Sequence, residues 1–388
     1  MPIPSALLFI LISFCSIAQE WNSITPIPSI GRDDAVAFSL NNLGFVVTGA
    51  GDGSDYSESN RLFCYNPINN SWIEKTAFPG VKRQYSSVFT IEGKAYLIGG
   101  YSESGAPLND VWSYNENQDL WTQLNNFPGL ARWDASSTSL SGFGYFGLGT
   151  NLDSTLSDLW RYNPKKDEWT LVSHYPSGGN RSVLAFPLLD EIIFGEGFSV
   201  NPITYANNWF SYNPSSETWA QINSTIAFRS YGTVVSNGVS AIICGGMNEN
   251  GVFQNDCYQL DFSRKWTELN TIGTEGLRGS SGFVIGNDFY IGTGLKANGS
   301  KTSEFYVYSQ IPIILQETKV FPNPSNSGFN IVSQPEIQVK IYSVDGKLLV
   351  QTITDVSGYL FINQLTSGLY IVKVLNNDKE VKFTIEKI

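Results

Sequence analysis

Short runs in which apolar and polar residues alternate recur along the chain, separated by turns rich in glycine, asparagine and aspartate. Alternation with a period of two predicts half-buried β-strands, and the turn residues predict tight connections between them. In one unit, strand a is expected at about 85–91, strand b at 95–99, strand c at 111–114 and strand d around Trp121. Short turns join a to b and c to d, whereas the b-to-c loop is longer. The pattern therefore predicts a four-stranded antiparallel sheet.

This unit repeats with a period of about 49 residues. Each copy has a tryptophan in strand d, an arginine 10 to 12 residues later, and a glycine 16 or 17 residues after that arginine. The tryptophans are Trp21, Trp72, Trp121, Trp169, Trp219 and Trp266; the arginines are Arg32, Arg83, Arg132, Arg181, Arg229 and Arg278; the glycines are Gly49, Gly99, Gly149, Gly197, Gly245 and Gly294. One such sheet cannot bury both faces alone, whereas six packed radially can. We therefore expect a six-bladed β-propeller.

Closure of the ring is also predictable. The sixth copy has strands a, b and c, ending at about 304–308, but no tryptophan follows it. An orphan strand d lies at the other end, around Trp21. We expect it to complete the sixth sheet, so that residues 19–311 form one propeller without an exposed sheet edge.

Further marks resemble the kelch repeat. They are the glycine pairs Gly99-Gly100 and Gly245-Gly246, the Asn-Asp pairs 109–110 and 255–256, and the Tyr and Trp that follow. Four copies have Gly-x-Gly in place of the pair, and the fifth has Leu260-Asp261 where the others have Tyr-Asn. The resemblance covers about residues 20–310. It implies a kelch propeller whose tryptophans are buried between blades.

The period stops after residue 310. We expect a linker at 312–319 and a separate small β-sandwich at 320–388, because alternating runs continue there between turns such as Asp345-Gly346. Its motifs, 322–324 (PNP), 339–342 (VKIY), 345–347 (DGK) and 368–374 (GLYIVKV), resemble the C-terminal sorting domain of type IX secretion substrates. The resemblance implies a Bacteroidetes-type bacterium, recognition by an outer-membrane translocon, removal of the tail, and a surface-attached or released product. An adhesive domain without a sorting role is the alternative.

The N-terminus predicts export by a signal peptide, residues 1–18. Nine apolar residues, Ala6–Phe14, precede Ser16-Ile17-Ala18, and a run this short is not a membrane span. A lipid anchor on Cys15 is disfavoured, because Phe14 is too bulky for the preceding position. Cys64, Cys244 and Cys257 remain. The last two flank one predicted hairpin and could pair, but buried free thiols are the favoured interpretation.

Charge and histidine content exclude several functions. The net charge of −11 argues against a nucleic-acid partner. The acid excess lies in the first 318 residues (17 bases, 29 acids), since the tail has seven bases and six acids. The only histidine, His174, cannot supply the two histidines of a galactose oxidase-like copper site. The acidic loop 52–55 resembles a calcium loop only faintly, so no metal or cofactor is expected.

Binding residues are expected on the face formed by the d-to-a and b-to-c loops, which vary most between copies. The six arginines lie there, either as a crown for ligand carboxylates or, as we favour, as consensus residues that pair within or between blades. The positions two residues later differ in type: Asp34, Tyr85, Asp134, Val183, Tyr231 and Ser280. Variation at these positions suits a surface adapted to one ligand, and Trp133 beside them could stack on a sugar ring. The alternative interpretation is that these residues are ordinary solvated strand ends.

The sequence favours a non-enzymatic binding module for an unidentified glycan or protein ligand. The alternative is a metal-free carbohydrate enzyme of the sialic-acid mutarotase kind. Glu196 and Asp134 are then the candidate proton-transfer groups. No nucleophile motif is present in the sequence.

Overall fold

The computed structural model describes residues 20–57, 59–309, 319–321, 329–332, 337–354, 359–362, 364–376 and 379–387. The expected signal peptide lies outside the described residues, as does all of the expected linker except Lys319. Apart from two short 3-10 helices, Asp52–Ser54 and Glu116–Gln118, the described residues form strands, turns and loops. None of their helices is long and apolar enough to cross a membrane. The all-β prediction is confirmed.

The propeller consists of six antiparallel sheets, five with four strands and the second with a short fifth strand. In blades one to five, strand order follows the chain from the centre outwards. The first strand, β1 (Trp21–Ile24), belongs to the last sheet. Blade one contains β2 (Val36–Leu40), β3 (Leu43–Val47), β4 (Leu62–Asn66) and β5 (Ser71–Lys75). Blade two contains β6 (Arg83–Gln84), β7 (Ser87–Ile91), β8 (Lys94–Ser102), β9 (Pro107–Asn115) and β10 (Leu120–Gln123). Blade three contains β11 (Ser136–Leu140), β12 (Phe143–Gly147), β13 (Asp158–Asn163) and β14 (Glu168–His174).

The other three blades follow the same plan with two additions. A hairpin, β17–β18, rises from the b-to-c loop of blade four, and a two-residue pair, β25–β28, lies beside blade six. Blade four contains β15 (Leu184–Leu188), β16 (Glu191–Gly195), β17 (Phe198–Val200), β18 (Ile203–Tyr205), β19 (Trp209–Asn213) and β20 (Thr218–Ile222). Blade five contains β21 (Thr233–Ser236), β22 (Ser240–Cys244), β23 (Cys257–Asp261) and β24 (Trp266–Leu269). Blade six contains β25 (Leu277–Arg278), β26 (Ser281–Ile285), β27 (Asp288–Gly292), β28 (Leu295–Lys296) and β29 (Phe305–Ser309).

The sixth sheet joins the two ends of the ring. Its order is β1-β29-β27-β26, and Trp21 lies opposite Tyr308. The outermost strand of the last blade thus comes from the start of the described chain. This pairing leaves no unpaired strand between blades six and one.

The innermost strands show why alternation builds this ring. In β2, Phe38 is buried between blades, while Ala37 and Ser39 face the central channel. The same alternation places Phe89, Phe186 and Phe283 between blades. Small side chains line a channel cavity of about 200 Å³. Large residues therefore fill the wedge between blades, and small residues keep the axis open.

The repeated tryptophans tie strands and blades together. In β5, Trp72 lies opposite Tyr65 of β4, with ring centroids 5.0 Å apart. Its indole N–H donates to the backbone carbonyl of Thr25, 2.7 Å away, in the preceding blade. Trp121 makes the same bond to Thr76. These contacts account for the Tyr and Trp of the repeat by packing and one hydrogen bond.

The glycine corner at the end of strand b is a backbone requirement. Gly100 has φ of +109°, and a Cβ there would lie 2.9 Å from the carbonyl oxygen of Gln84. The residue before this glycine also has a left-handed backbone, but it is Gly99 in blade two, Thr48 in blade one and Leu148 in blade three. This explains why Gly-x-Gly replaces the pair in other repeats.

The expectation of free thiols was wrong for one pair. Cys244 of β22 lies directly opposite Cys257 of β23, and the two form a disulfide with 4.2 Å between their Cα atoms. The sequence placed both near one hairpin but did not fix the strand register. Cys64 is a buried free thiol.

The tail contains a second set of sheets with its own core. One sheet has the order β30-β31-β34 and the other β33-β32-β35-β36. The strands are β30 (Lys319–Phe321), β31 (Phe329–Val332), β32 (Gln338–Ser343), β33 (Leu348–Ile353), β34 (Tyr359–Ile362), β35 (Gly368–Asn376) and β36 (Lys379–Lys387). Buried residues of both sheets, including Ile331, Ile362, Val339 and Val372, form one apolar cluster. This is the predicted small sandwich.

Candidate functional site

The entry to strand a has one backbone geometry in most blades. A glycine of the preceding blade donates its N–H to the carbonyl of one loop residue. The acceptors are Arg83, Arg132, Asn180, Leu277 and Arg32. Asn180 and Leu277 thus occupy the arginine position in blades four and six. The series of six equivalent arginines was therefore wrong at two places, because Arg181 and Arg278 stand one residue further on.

The four equivalent arginines are buried structural residues. Arg83, Arg132 and Arg229 each form paired hydrogen bonds with an aspartate, respectively Asp110, Asp158 and Asp256, at 2.6–3.1 Å. Arg32 donates to the carbonyl of Thr48 and to Ser29 Oγ. All four are at most 2% exposed. The favoured prediction, pairing within a blade, holds here, and the crown hypothesis fails for these four.

Arg181 and Arg278 lie instead at the channel mouth. They pair through the backbone with Phe198 and Leu295, in positions that other blades give to residues such as Asp33 and Trp133. Arg181 Nε donates to Asp134 Oδ2 at 2.7 Å. We define the mouth cluster as Asp34, Tyr85, Asp134, Arg181, Tyr231 and Arg278.

A chain of five backbone hydrogen bonds links the strand starts of this cluster. Asp34 donates to Gly279, Tyr85 to Asp34, Asp134 to Tyr85, Ser182 to Asp134, and Gly279 to Tyr231, at 2.8–3.3 Å. These residues all have φ between +51° and +61°. Ser182 and Gly279 therefore take the places expected for Val183 and Ser280, again one residue away. Because these bonds link the six strand starts in series, they hold the backbone from which the cluster side chains extend.

Aromatic rings surround the two arginines. The Arg181 guanidinium lies 5.4–6.0 Å from the ring centroids of Tyr85, Trp133, Phe198 and Tyr231. The Arg278 guanidinium lies 5.0 Å from Tyr231 and 5.9 Å from Phe253. Stacking of this kind holds a cation and still leaves its N–H groups available. The sequence reading missed Phe198 and Phe253, because they lie on b-to-c loops without a repeat signal.

Comparisons with known proteins agree with this architecture. Residues 10–186 match the KLHDC2/KLHL20/DRC7 Kelch-repeats domain, and residues 319–387 match the Secretion system C-terminal sorting domain. The chain is a kelch propeller with a type IX sorting tail. A solved structure titled "Structure of YjhT" has the same fold, with a TM-score of 0.59 and 15% identity, covering 85% of this chain and 99% of that one. No curated protein sequence matches the chain.

The sorting domain also locates the kelch propeller. It indicates export to the cell surface or beyond, with the type IX secretion system as a partner. The disulfide is consistent with this, because such bonds persist in oxidising compartments.

Burial changes the acid-base properties of the kelch propeller's mouth. Burial raises the pKa of Asp34 well above its usual value, the neighbouring Asp33 adds to the rise, and Arg278 opposes it. Burial also raises the pKa of Tyr231 to about 12 and that of Tyr85 still further. For Arg181, burial lowers the pKa but Asp134 outweighs it, so the pKa is raised. The cluster therefore combines two charged guanidinium groups with neutral phenols and one carboxyl group that takes up a proton readily.

Glu196 lies away from this surface. It is fully buried, and its Oε2 accepts the backbone N–H of Arg229 at 3.0 Å. In blade three the corresponding N–H, that of Arg132, donates to the carbonyl of Leu108 in β9 instead. Burial raises the pKa of Glu196 to about 8. Glu196 therefore acts as a hydrogen-bond acceptor that supports the fold, and its assignment as a proton-transfer candidate is corrected. The other candidate, Asp134, lies in the mouth cluster.

The lone histidine and the acidic loop add no site. His174 ends β14 and is exposed, with Nδ1 3.3 Å from Ser157 Oγ. In the described part of the chain, no three His, Cys, Asp or Glu side chains are close enough to share a metal ion.

Proposed function

We propose that this exported kelch propeller is a binding protein for a glycan or protein ligand, which docks at the mouth cluster through a carboxylate. The observation that carries the proposal is the incomplete pairing of Arg278. Its Nη1 makes no hydrogen bond, and the nearest carboxylate oxygens of Asp34 and Asp33 lie 3.8 and 3.9 Å from the guanidinium nitrogens. The Arg278 side chain is 19% exposed, so a ligand carboxylate can reach the exposed part of the guanidinium and complete its pairing.

The surroundings of Arg278 suit an acidic sugar or an acidic peptide. The Tyr85 and Tyr231 rings lie 6.4 Å apart, and Trp133 is partly exposed beside them. Such faces pack against the C–H face of a sugar ring or an apolar side chain. The cluster thus offers one charged contact and several planar walls on a fixed backbone.

A glycan array with acidic and neutral members tests the proposal directly. We expect the purified protein to retain acidic glycans, and Arg278→Gln to reduce that binding at least tenfold. Arg264→Gln is the matched control and should bind normally, because Arg264 of blade five forms a solvent-accessible ion pair with Glu191 of blade four. Retention of no glycan would leave only an acidic peptide as ligand. Equal binding by both variants would contradict the assignment of Arg278.

A second candidate, a metal-free carbohydrate enzyme of the mutarotase kind, is favoured by one observation. Asp34 is a carboxyl group of raised pKa beside Tyr85 and Arg278, and a carboxyl group shifted in this way is a candidate for giving and taking a proton. Asp134 is the second acid of the cluster. Sialic acid mutarotation followed by NMR tests this candidate. Asp34→Asn should slow the exchange strongly while Glu196→Gln leaves it unchanged; no rate above background would exclude the enzyme.

A further inference from the structure

Blade four lacks a buried feature that blades two, three and five share. Those blades each contain the paired Arg–Asp contact described above. The arginine position in blade four holds Asn180, as its backbone bond from Gly149 shows. The aspartate position stands directly before a fully buried residue of strand c, and in blade four, where that residue is Trp209, the position holds Asn208. Two short neutral amides therefore replace a long ion pair.

The neighbouring aromatic residue is also smaller. In blades two and three, Trp112 and Trp160 stand two residues after the aspartate, and each donates its indole N–H to that carboxylate. Phe210 stands at this position in blade four. Blade four has thus exchanged Arg, Asp and Trp for Asn, Asn and Phe, and less side-chain volume occupies the same loops.

A pocket of about 450 Å³ lies where that volume is missing. Its walls include Asn180, Asn208 and Phe210, together with Ser177, Gln221 and Tyr205. Tyr205 belongs to the β17–β18 hairpin, which none of the other blades has in the described residues. The volume lies within the range of about 300–1,000 Å³ of small-molecule sites.

The lining has the chemistry of a carbohydrate site, and we propose that the blade-four pocket binds a neutral saccharide. The amides of Asn208 and Gln221 and several hydroxyl groups offer donors and acceptors side by side, as vicinal sugar hydroxyls require. Asn180 also lines the pocket, but it is 3% exposed and its Nδ2 donates to the carbonyls of Ser177 and Gly178. No Asp, Glu, Lys or Arg lines the pocket, so a charged ligand would lose water without a partner.

Tyr205 supplies the apolar contact. It is 45% exposed, and its ring packs 4.9 Å from that of Phe228, which holds it in place. An ordered aromatic face at the rim of a polar pocket suits the C–H face of a sugar ring.

The pocket and the mouth cluster have separate linings, although Phe198 contacts both Tyr205 and Tyr231. Arg181 follows Asn180 directly, but its side chain turns to Asp134, and no member of the mouth cluster lines the pocket. Loss of binding at one site is therefore expected to leave the other intact.

Saturation-transfer NMR on the purified chain provides the test. The probes are glucose, galactose and N-acetylglucosamine, with glucosamine and glucuronic acid as charged counterparts. We expect at least one neutral sugar to receive saturation and to bind at least tenfold more tightly than the charged sugars. Absence of transfer to every neutral sugar, or equal binding of the charged ones, would overturn the proposal.

Two variants locate the binding. Asn180→Arg combined with Asn208→Asp rebuilds the ion pair of the other blades, and it should abolish sugar binding without lowering the Tm. Gln221→Ala should weaken binding severalfold, whereas Gln123→Ala, the same strand-d position in blade two, should not. The glutamine pair decides the question even if the double variant fails to fold. Arg278→Gln should leave sugar binding unchanged, and unchanged binding in Gln221→Ala and the double variant would contradict the site.

Discussion

At the scale of single residues, a shift of one position along the repeat separates a buried structural arginine from an arginine at the channel mouth. Arg83 and Arg278 look alike in a series spaced by about 49 residues, yet the first is buried against Asp110 and the second lies at the channel mouth. The spacing alone could not separate them, because loop lengths also vary by one or two. Buried aromatic residues align the repeats better, because Phe78, Phe127 and Tyr175 stand five residues before Arg83, Arg132 and Asn180, respectively. Buried anchor residues fix register more reliably than the charged residues they support.

This difference predicts a difference in stability. Arg83→Gln leaves Asp110 without its paired partner in a buried site, so we expect a loss of about 3 kcal/mol or more in the free energy of unfolding. Arg264→Gln breaks an exposed ion pair and should cost less than about 1 kcal/mol. Urea unfolding followed by tryptophan fluorescence measures both. Equal losses would contradict a structural role for the consensus arginine.

Glu196 predicts a pH dependence of stability. Its pKa rises from 4.5 to about 8 on folding, so the native state keeps a proton that the unfolded state releases between these values. Stability from this group is therefore complete below pH 4.5 and is lost as the pH rises to about 8. Glu196→Gln removes the effect, because the amide stays neutral and can still accept the Arg229 N–H.

The difference between variant and wild type isolates this group from other titrating residues. We expect nearly equal unfolding free energies at pH 4 and a gain of roughly 1–3 kcal/mol for Glu196→Gln at pH 9. Glu168→Gln, an exposed site on β14, should show no such trend. A constant difference across the pH range would contradict the burial of a titrating carboxyl group.

At the scale of elements, the alternation pattern predicted strands well and their exact pairing less well. The expected strand b at 95–99 extends to β8 (Lys94–Ser102), and strand c begins earlier, as β9 (Pro107–Asn115). The b-to-c loops were unpredictable in detail because their hydrogen bonds run to neighbouring blades. The β17–β18 hairpin and the blade-four pocket both arise there.

The disulfide between β22 and β23 gives an element-scale prediction. In denaturant without reductant, the exported protein should expose one thiol, that of Cys64, and three after reduction. Replacing Cys244 and Cys257 by alanine should lower the free energy of unfolding by about 2–4 kcal/mol, because the bridge closes a short loop in the unfolded chain. Cys64→Ala serves as the single-cysteine control. Three reactive thiols in the unreduced protein would contradict the bridge.

At the scale of the whole molecule, each domain has a closed set of sheets. No described strand of the tail pairs with a propeller strand, and the sixth blade is completed by β1. The repeat period and the orphan tryptophan pointed to this closure, since an unpaired edge would otherwise remain. What the sequence could not supply is the ligand, because the mouth and the blade-four pocket are assembled from loops distant in the chain.

Deletion of residues 320–388 tests whether the propeller folds independently and whether the tail carries the sorting signal. The propeller should fold without the tail, because its six sheets and their apolar clusters use residues before 310. Export through the inner membrane depends on the expected N-terminal signal, so the truncated protein should reach the periplasm and stop there. Fractionation and immunoblotting in a bacterium with type IX secretion would detect the protein in the periplasm, with the full-length chain at the surface or in the medium as the control. Normal secretion of the truncated protein would show that the tail is not the sorting signal, and absence of soluble protein would show that the propeller needs the tail to fold.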